Sequence, residues 1–366
     1  PSCGGRTGPG PADSLSTLRA MAHPSCFRPP ASAAQRRYLE LVQHTDPLAD
    51  ELASALMQSR LTREQALSEL KAALTPPVWV DLGRQRLGCE AFQRTGLLGG
   101  VVLALYALPL GYLSPAGTKP LALSGRLVEQ APRRLGETNR FLFEVTRPGG
   151  MAPGAPGHEI TVKVRLMHAV ARIHCRRAWQ PQAWGQPINQ AHMASTNLLF
   201  SLHCVNGLRK LGVRWSPEEV EGYLHLWRDV GWTLGIQDEL LCSTEAEARL
   251  VWSLVRACEG APDTDCRELA RALVEQAVPA TLASLLPLDA GDPRFVKLLY
   301  RLSTALLGRE TAALLGYPTQ TGPLLIAPLL RLLVGGVESV RHSAPRSNDW
   351  LLSLGSSMNE RLAEAT

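Results

Sequence analysis

The sequence is poor in aromatic residues, 5% of 366, and in charged ones, 19%, against 45% hydrophobic. Sheets draw on aromatic and β-branched side chains packed across strands, so a chain short of aromatics and rich in Leu and Ala disfavours a β-sandwich or barrel. The eight cysteines form no C-x-x-C pair, which excludes a zinc knuckle and a dense disulfide framework. Reduced thiols in a cytoplasmic protein are expected, with export left open because residue 1 is not Met. No two histidines stand four apart, so H-E-x-x-H and H-x-x-x-H metal sites are missing. Also missing are a G-x-S-x-G elbow, a P-loop and a G-x-G-x-x-G after a strand, which disfavours the hydrolases and nucleotide-dependent enzymes built on them. The net charge of +5 is dispersed over 38 basic and 33 acidic residues. Its densest basic group, Arg172, Arg176 and Arg177, is too short for a nucleic-acid stripe.

What is present, from about residue 34 onward, is helical periodicity broken by Pro and Gly, which predicts an all-α protein. Residues 1–33, rich in Pro, Gly and Ser, read as a disordered lead-in, and 34–366 as a single helical domain. Short amphipathic helices are predicted over 32–43 and 46–58, the second with Asp46 as its cap and Pro47 in its first turn; Thr62-x-x-Gln65 is a capping-box start for a third. The uncharged stretch 95–113 imitates a membrane span. It contains Gly96, Gly99, Gly100, Pro109 and Gly111 and stands alone, so it reads as a buried central helix, and no transmembrane anchor is expected. A loop over 148–157, with four Gly and three Pro, is expected to be mobile. Helices over 158–177, 189–211 and 216–236 follow, with three or four more between 245 and 360.

Residues 161–177 read TVKVRLMHAVARIHCRR and put Arg165, His168 and Arg172 at i−3, i and i+4, hence on one helical face with Val164, Ala171 and Cys175. One imidazole between two guanidiniums on an otherwise apolar face has two readings. His168 can be a core histidine bonded to a backbone carbonyl, with the arginines paired to Asp or Glu on another helix. It can also be the axial ligand of a haem iron, with Arg165 and Arg172 as cationic partners of the two propionates. The spacing alone leaves both open.

Two blocks carry the reading further. One is Arg133-Arg134-Leu135-Gly136-Glu137-Thr138; the other, thirty residues after Thr138, is the Arg-x-x-His-x-x-x-Arg arrangement around His168. Asp46-Pro47-Leu48-Ala49-Asp50, MASTNLLF at 193–200 and YLHLWRDVGWTLGI at 223–236 extend the pattern. In these motifs, from about residue 38 to 236, the chain resembles the family that joins bacterial latex-clearing proteins (rubber oxygenases) to the fungal oxygenase MpaB of mycophenolic acid biosynthesis.

The resemblance implies a globin-like helical core with additional N- and C-terminal helices, holding haem b. It makes His168 the iron ligand and places Arg165 and Arg172 beside the propionates. Arg134 and Thr138 then lie at the opposite, oxygen-binding face, with Glu137 next to them either holding Arg134 or acting as a base. The chain departs from the rubber-cleaving members at Glu137, where they carry Lys. They also place an acid upstream of the Arg-Thr block, whereas this chain has no carboxylate between Asp81 and Glu129 except Glu90. Those departures weigh against rubber cleavage and leave haem binding untouched. Arg134 also has plain readings, as a surface arginine near a helix N-terminus or as half of a surface ion pair with Glu137. The implied function is a haem-b-dependent oxygenase acting with dioxygen on a small apolar substrate, isoprenoid or otherwise unsaturated. A haem peroxidase and a non-catalytic haem protein, a gas sensor or carrier, are the alternatives.

Overall fold

The computed structural model describes residues 26–123, 130–285, 287, 289–319, 325–344 and 346–364. Among them the chain is all-α, and its extended pairing is limited to an isolated antiparallel bridge between Phe27 and Glu259. The helix starts follow local chemistry. Ser32 and Thr62 close capping boxes with Gln35 and Gln65 at the heads of Ala33–Leu41 and Arg63–Ala72, and Asp46 accepts from the Ala49 amide ahead of Pro47–Met57. These side chains take up amide protons that a first helical turn leaves without partners.

Most of the expected lead-in, 1–25, lies outside the described residues, and the part that follows is bonded to the body. Gly260 N–H donates to Cys26 O and Arg28 N–H to Cys258 O, both at 2.7 Å, and Phe27 stacks on His192 with ring centres 6.0 Å apart. Residues 26–28 are therefore pinned to the body.

The central helix is present but interrupted: Leu97–Val102 is α-helical, Leu103–Ala107 widens into a π turn, and Leu108–Gly111 resumes. Pro109 explains the break, since it has no N–H and its ring clashes with the carbonyl four residues back. That carbonyl, Leu105 O, instead accepts from the Ser303 hydroxyl at 2.6 Å, supplied by Pro293–Leu307. Leu103, Leu105 and Ala107 are fully buried, so the apolar stretch is the middle of the core. No single helix among the described residues is long and apolar enough to cross a membrane.

Around this centre, Leu82–Gln93 crosses Pro217–Thr233 at two glycines. A Cβ on Gly88 would fall 2.1 Å from Tyr223 N, and one on Gly222 2.4 Å from Arg84 O, so the helices touch backbone to backbone. Phe92 stacks on Tyr223 at 5.3 Å, and Trp227 and Phe200 continue the aromatic core.

The 148–157 loop is not the mobile segment its composition suggests. Met151 is buried, His158 N–H donates to Gly150 O at 2.9 Å, and Cβ atoms on Gly150 or Gly157 would fall 2.2 and 2.5 Å from Glu144 O. Bare glycine backbone lies on the last turn of Ala131–Thr146 and holds that helix against Pro156–Cys175. The latter starts two residues before the expected His158 and ends at Cys175 in a short 3-10 turn; the predicted 189–211 helix is split by a π turn at Leu199–His203.

Candidate functional site

Pro156–Cys175 faces Pro47–Met57 through the three residues singled out above. Arg165 grips both oxygens of Asp46, Nε at 2.6 Å and Nη2 at 3.0 Å, and donates from Nη1 to Thr233 O at 3.4 Å. Arg172 donates from Nε to Asp50 Oδ1 at 2.6 Å and from Nη1 to Ile188 O at 3.2 Å. Both pairs are almost out of water. Charges so placed are tolerated because each is met by an opposite charge and by further hydrogen bonds. Acids four apart on one helix meet arginines seven apart on the other, so the pairs lock the two helices in register.

Of the readings left open for the arginines, pairing with acids on another helix is the arrangement the structure contains. Each nitrogen of Arg165 makes one hydrogen bond, so its charge is spent on Asp46. Arg172 is different: its Nη2 is buried and meets no partner among the described residues.

His168 stands between the two pairs, half-buried. Its Nδ1 is buried and likewise meets no partner among the described residues. His174, six residues on, offers the contrast, with Nδ1 2.9 Å from Val170 O. Burial first, then the Arg172 charge, push the His168 pKa down to about 4 against the opposing pull of Asp46. The imidazole is therefore neutral at neutral pH, the state in which histidine ligates a metal. An unpartnered buried nitrogen costs about 1–3 kcal/mol, and a bond to a ligand would offset that.

Four further residues build the site. Asp46 and Asp50 are the partners just described; their i,i+4 spacing at a helix start, opposite arginines on a second helix, was a visible signal. Gly235 and Gln190 gave none. Gly235 has φ +81° and a Cβ there would lie 2.5 Å from Asp46 Oδ2 and 2.7 Å from Arg165 Nε, so its bare backbone is the lid on this ion pair. Gln190 Nε2 donates to Thr45 O and Gly235 O, each at 2.9 Å, and Gln190 Oε1 accepts from Gln237 N–H at 2.9 Å, tying the flanking loops together.

On Ala131–Thr146, Arg134 and Thr138 are half-buried, and Thr138 Oγ1 donates to Arg134 O at 2.7 Å. Tyr112 is near: burial pushes its phenol up to about 12 while the Arg134 charge pulls the other way. Glu137 is elsewhere. It is solvent-exposed, accepts from Arg133 Nε at 2.9 Å, and lines an outer groove of about 340 Å³ with Arg140, Glu144, Glu159 and Lys163. Its carboxylate is spent on Arg133 instead of reaching Arg134: at 100° per residue position 137 lies about 40° from 133 and about 60° from 134, so helical spacing permits either partner and the ion pair goes to Arg133. Inside, the central helix and Leu135, Asn139 and Leu362 enclose an apolar cavity of about 20 Å³, room for about one water.

Residues 91–337 match the family described as "ER-bound oxygenase mpaB/B'/Rubber oxygenase, catalytic domain". A rubber oxygenase from a Streptomyces species is 26% identical over 175 residues, 46% of this chain and 42% of that protein, so the match spans less than half of this curated relative. The solved structure of latex clearing protein LCP in the closed state is similar with a TM-score of 0.67 and 21% identity, covering 88% of this chain and 90% of that one. At that identity the likeness is one of fold.

Proposed function

This chain belongs to the family of the ER-bound mpaB/B' and rubber oxygenases, whose catalytic domain it carries over residues 91–337, and we propose that it is a haem-b-dependent oxygenase. Its co-substrates in this reading are dioxygen and a small apolar, unsaturated molecule, with isoprenoids the first class to try. One observation carries the haem. On a single helical face, Nδ1 of a neutral imidazole at His168 and Nη2 of Arg172 are both buried and both without partners among the described residues. A metal ligand and an anion binder are thus left open four residues apart, which is the donor chemistry of a haem iron and a propionate. Among the described residues no group of three or more His, Cys, Asp or Glu could hold a metal. One protein ligand suffices where a porphyrin brings the others.

When bound, haem supplies the iron at which dioxygen is activated. The chain's own residues do the rest. Arg165, through Asp46, and Arg172, through Asp50, fix the helix that aims His168. Arg134 contributes a permanent positive charge on the neighbouring helix, able to donate to an oxygen atom on which negative charge develops. Thr138 holds that turn through the Arg134 carbonyl, and the Tyr112 phenol, kept protonated, is a second donor beside Arg134. Rubber cleavage is not part of the proposal, because position 137 carries an exposed Glu already paired with Arg133.

The test is oxygen uptake by haem-loaded protein over a panel of isoprenoids and other unsaturated apolar compounds, with products read by mass spectrometry as carbonyls or hydroxylated derivatives. Full haem loading with no uptake and no product on any of them would contradict the oxygenase and leave a haem carrier.

A further inference from the structure

Ile326–Ser343 packs on the body by one side only, through Ile326, Ala327, Leu330 and Val334, with Glu338 buried. The adjoining side is apolar and bare. Leu325, Leu329, Leu332, Leu333, Val337 and Val340 are 49–73% exposed. At 100° per residue they fall in one sector of roughly 140°, and Arg331, Glu338, Arg341 and His342 all lie outside it. Gly336 sits near the middle of the stripe, with open space where its Cβ would be. On Arg346–Glu364 the pattern recurs at i, i+4 and i+8 with Trp350, Leu354 and Met358, all exposed. Single exposed leucines are ordinary on any protein, but a contiguous stripe is not, and a surface helix normally turns its apolar side inward.

We propose that this face is the docking surface for a second copy of the chain, the stripe packing against its own twofold mate. The stripe runs about 22 Å along the helix. It offers on the order of 600 Å² of apolar surface, the top of what monomers expose. That is most of the roughly 800 Å² that each partner brings to a standard interface. An isologous contact needs only self-complementarity, which an uncharged stripe supplies, and Gly336 lets two backbones approach closely. A membrane surface is the poorer match, because interfacial helices rim their apolar side with free Lys and Arg. Here Arg341 is spent on Glu338 and on Arg214 O at 2.8 Å.

Sedimentation equilibrium on the full chain at micromolar concentration tests this independently of haem and turnover. The wild type sediments as a dimer, Leu329→Glu and Leu332→Glu halve the mass with unchanged helical circular dichroism, and Leu87→Glu, at an exposed leucine elsewhere, leaves the dimer intact. Should the charged variants misfold, Val337→Cys reads the contact in an otherwise native surface: with copper–phenanthroline and air as the oxidant, its two thiols lose two electrons and two protons to form an intermolecular disulfide that the wild type does not form. A monomeric wild type overturns the proposal, as does a dimer indifferent to both charges or a Val337→Cys that stays uncrosslinked. Flotation of a monomeric wild type with phosphatidylcholine–phosphatidylserine vesicles, lost in Leu332→Glu, would reassign the face to a membrane.

Discussion

Buried charge decides most of what single residues do here. Removing Asp46 strands the Arg165 guanidinium in the interior, and Asp46→Ala is expected to lose about 3–5 kcal/mol in urea unfolding. The Asp46→Ala, Arg165→Met double variant is expected to lose less than Asp46→Ala alone; equal losses would show the pair to be uncoupled. Arg165 and Arg172 part company in haem binding. Arg172→Ala, which removes the spare Nη2 donor, is expected to weaken haem by about 1.5–3 kcal/mol, read as a roughly 10–100-fold faster dissociation. Arg165→Ala acts on stability instead, since all its nitrogens are taken. Asp229 provides the pH dependence. Buried against Gln85 Nε2 at 2.8 Å, its carboxyl is raised to about 6 by desolvation, with the Gln85 bond opposing. The folded protein then holds a proton that the unfolded chain has released, so between about pH 4 and pH 6 stability falls as pH rises. Asp229→Asn should flatten that slope and stabilise the protein above pH 6 by on the order of 2–3 kcal/mol. A slope that persists in the variant assigns the proton elsewhere.

Helices meet here through backbone features that a pattern of apolar residues does not announce. Gly222→Ala would drive a methyl to 2.4 Å from Arg84 O, and the resulting separation of the two helices should cost at least about 1–3 kcal/mol. Ser303→Ala leaves Leu105 O, already deprived by Pro109, without the hydroxyl it accepts from. A loss of about 1–3 kcal/mol in thermal unfolding follows, and none would mean that another donor takes over. Helix starts were legible because the caps are local: Ser32, Asp46 and Thr62 act on amides three residues away. The π turn at Leu103–Ala107 and the ordered Gly-rich loop were not, because each depends on a distant partner, Ser303 for Pro109 and the Glu144 carbonyl for Gly150 and Gly157.

At the scale of the whole molecule, the all-α class followed from composition and periodicity, and the comparisons place the chain in the oxygenase family that its motifs resembled. The candidate site was legible as a face, Arg165, His168 and Arg172, but not as a circuit. Asp46 and Asp50 were in view as an i,i+4 pair, but across more than a hundred residues of sequence nothing says which arginine each one meets, and Gly235 matters only as bare backbone against an ion pair. Glu137 was expected beside Arg134 from their i,i+3 spacing, but Arg133, one turn back at i,i+4, offers the same carboxylate a second partner, and that is the pair that forms. The proposed oxygenase stands or falls with haem at His168. Titrating haem b into the purified chain and into His168→Ala, following the Soret band and the pyridine haemochrome, tests it most directly. One tightly bound b-type haem is expected in the wild type, with loss of that binding or a changed ferric spectrum in His168→Ala while the fold stays intact, and recovery on adding free imidazole. Full occupancy with an unchanged spectrum in His168→Ala would contradict it.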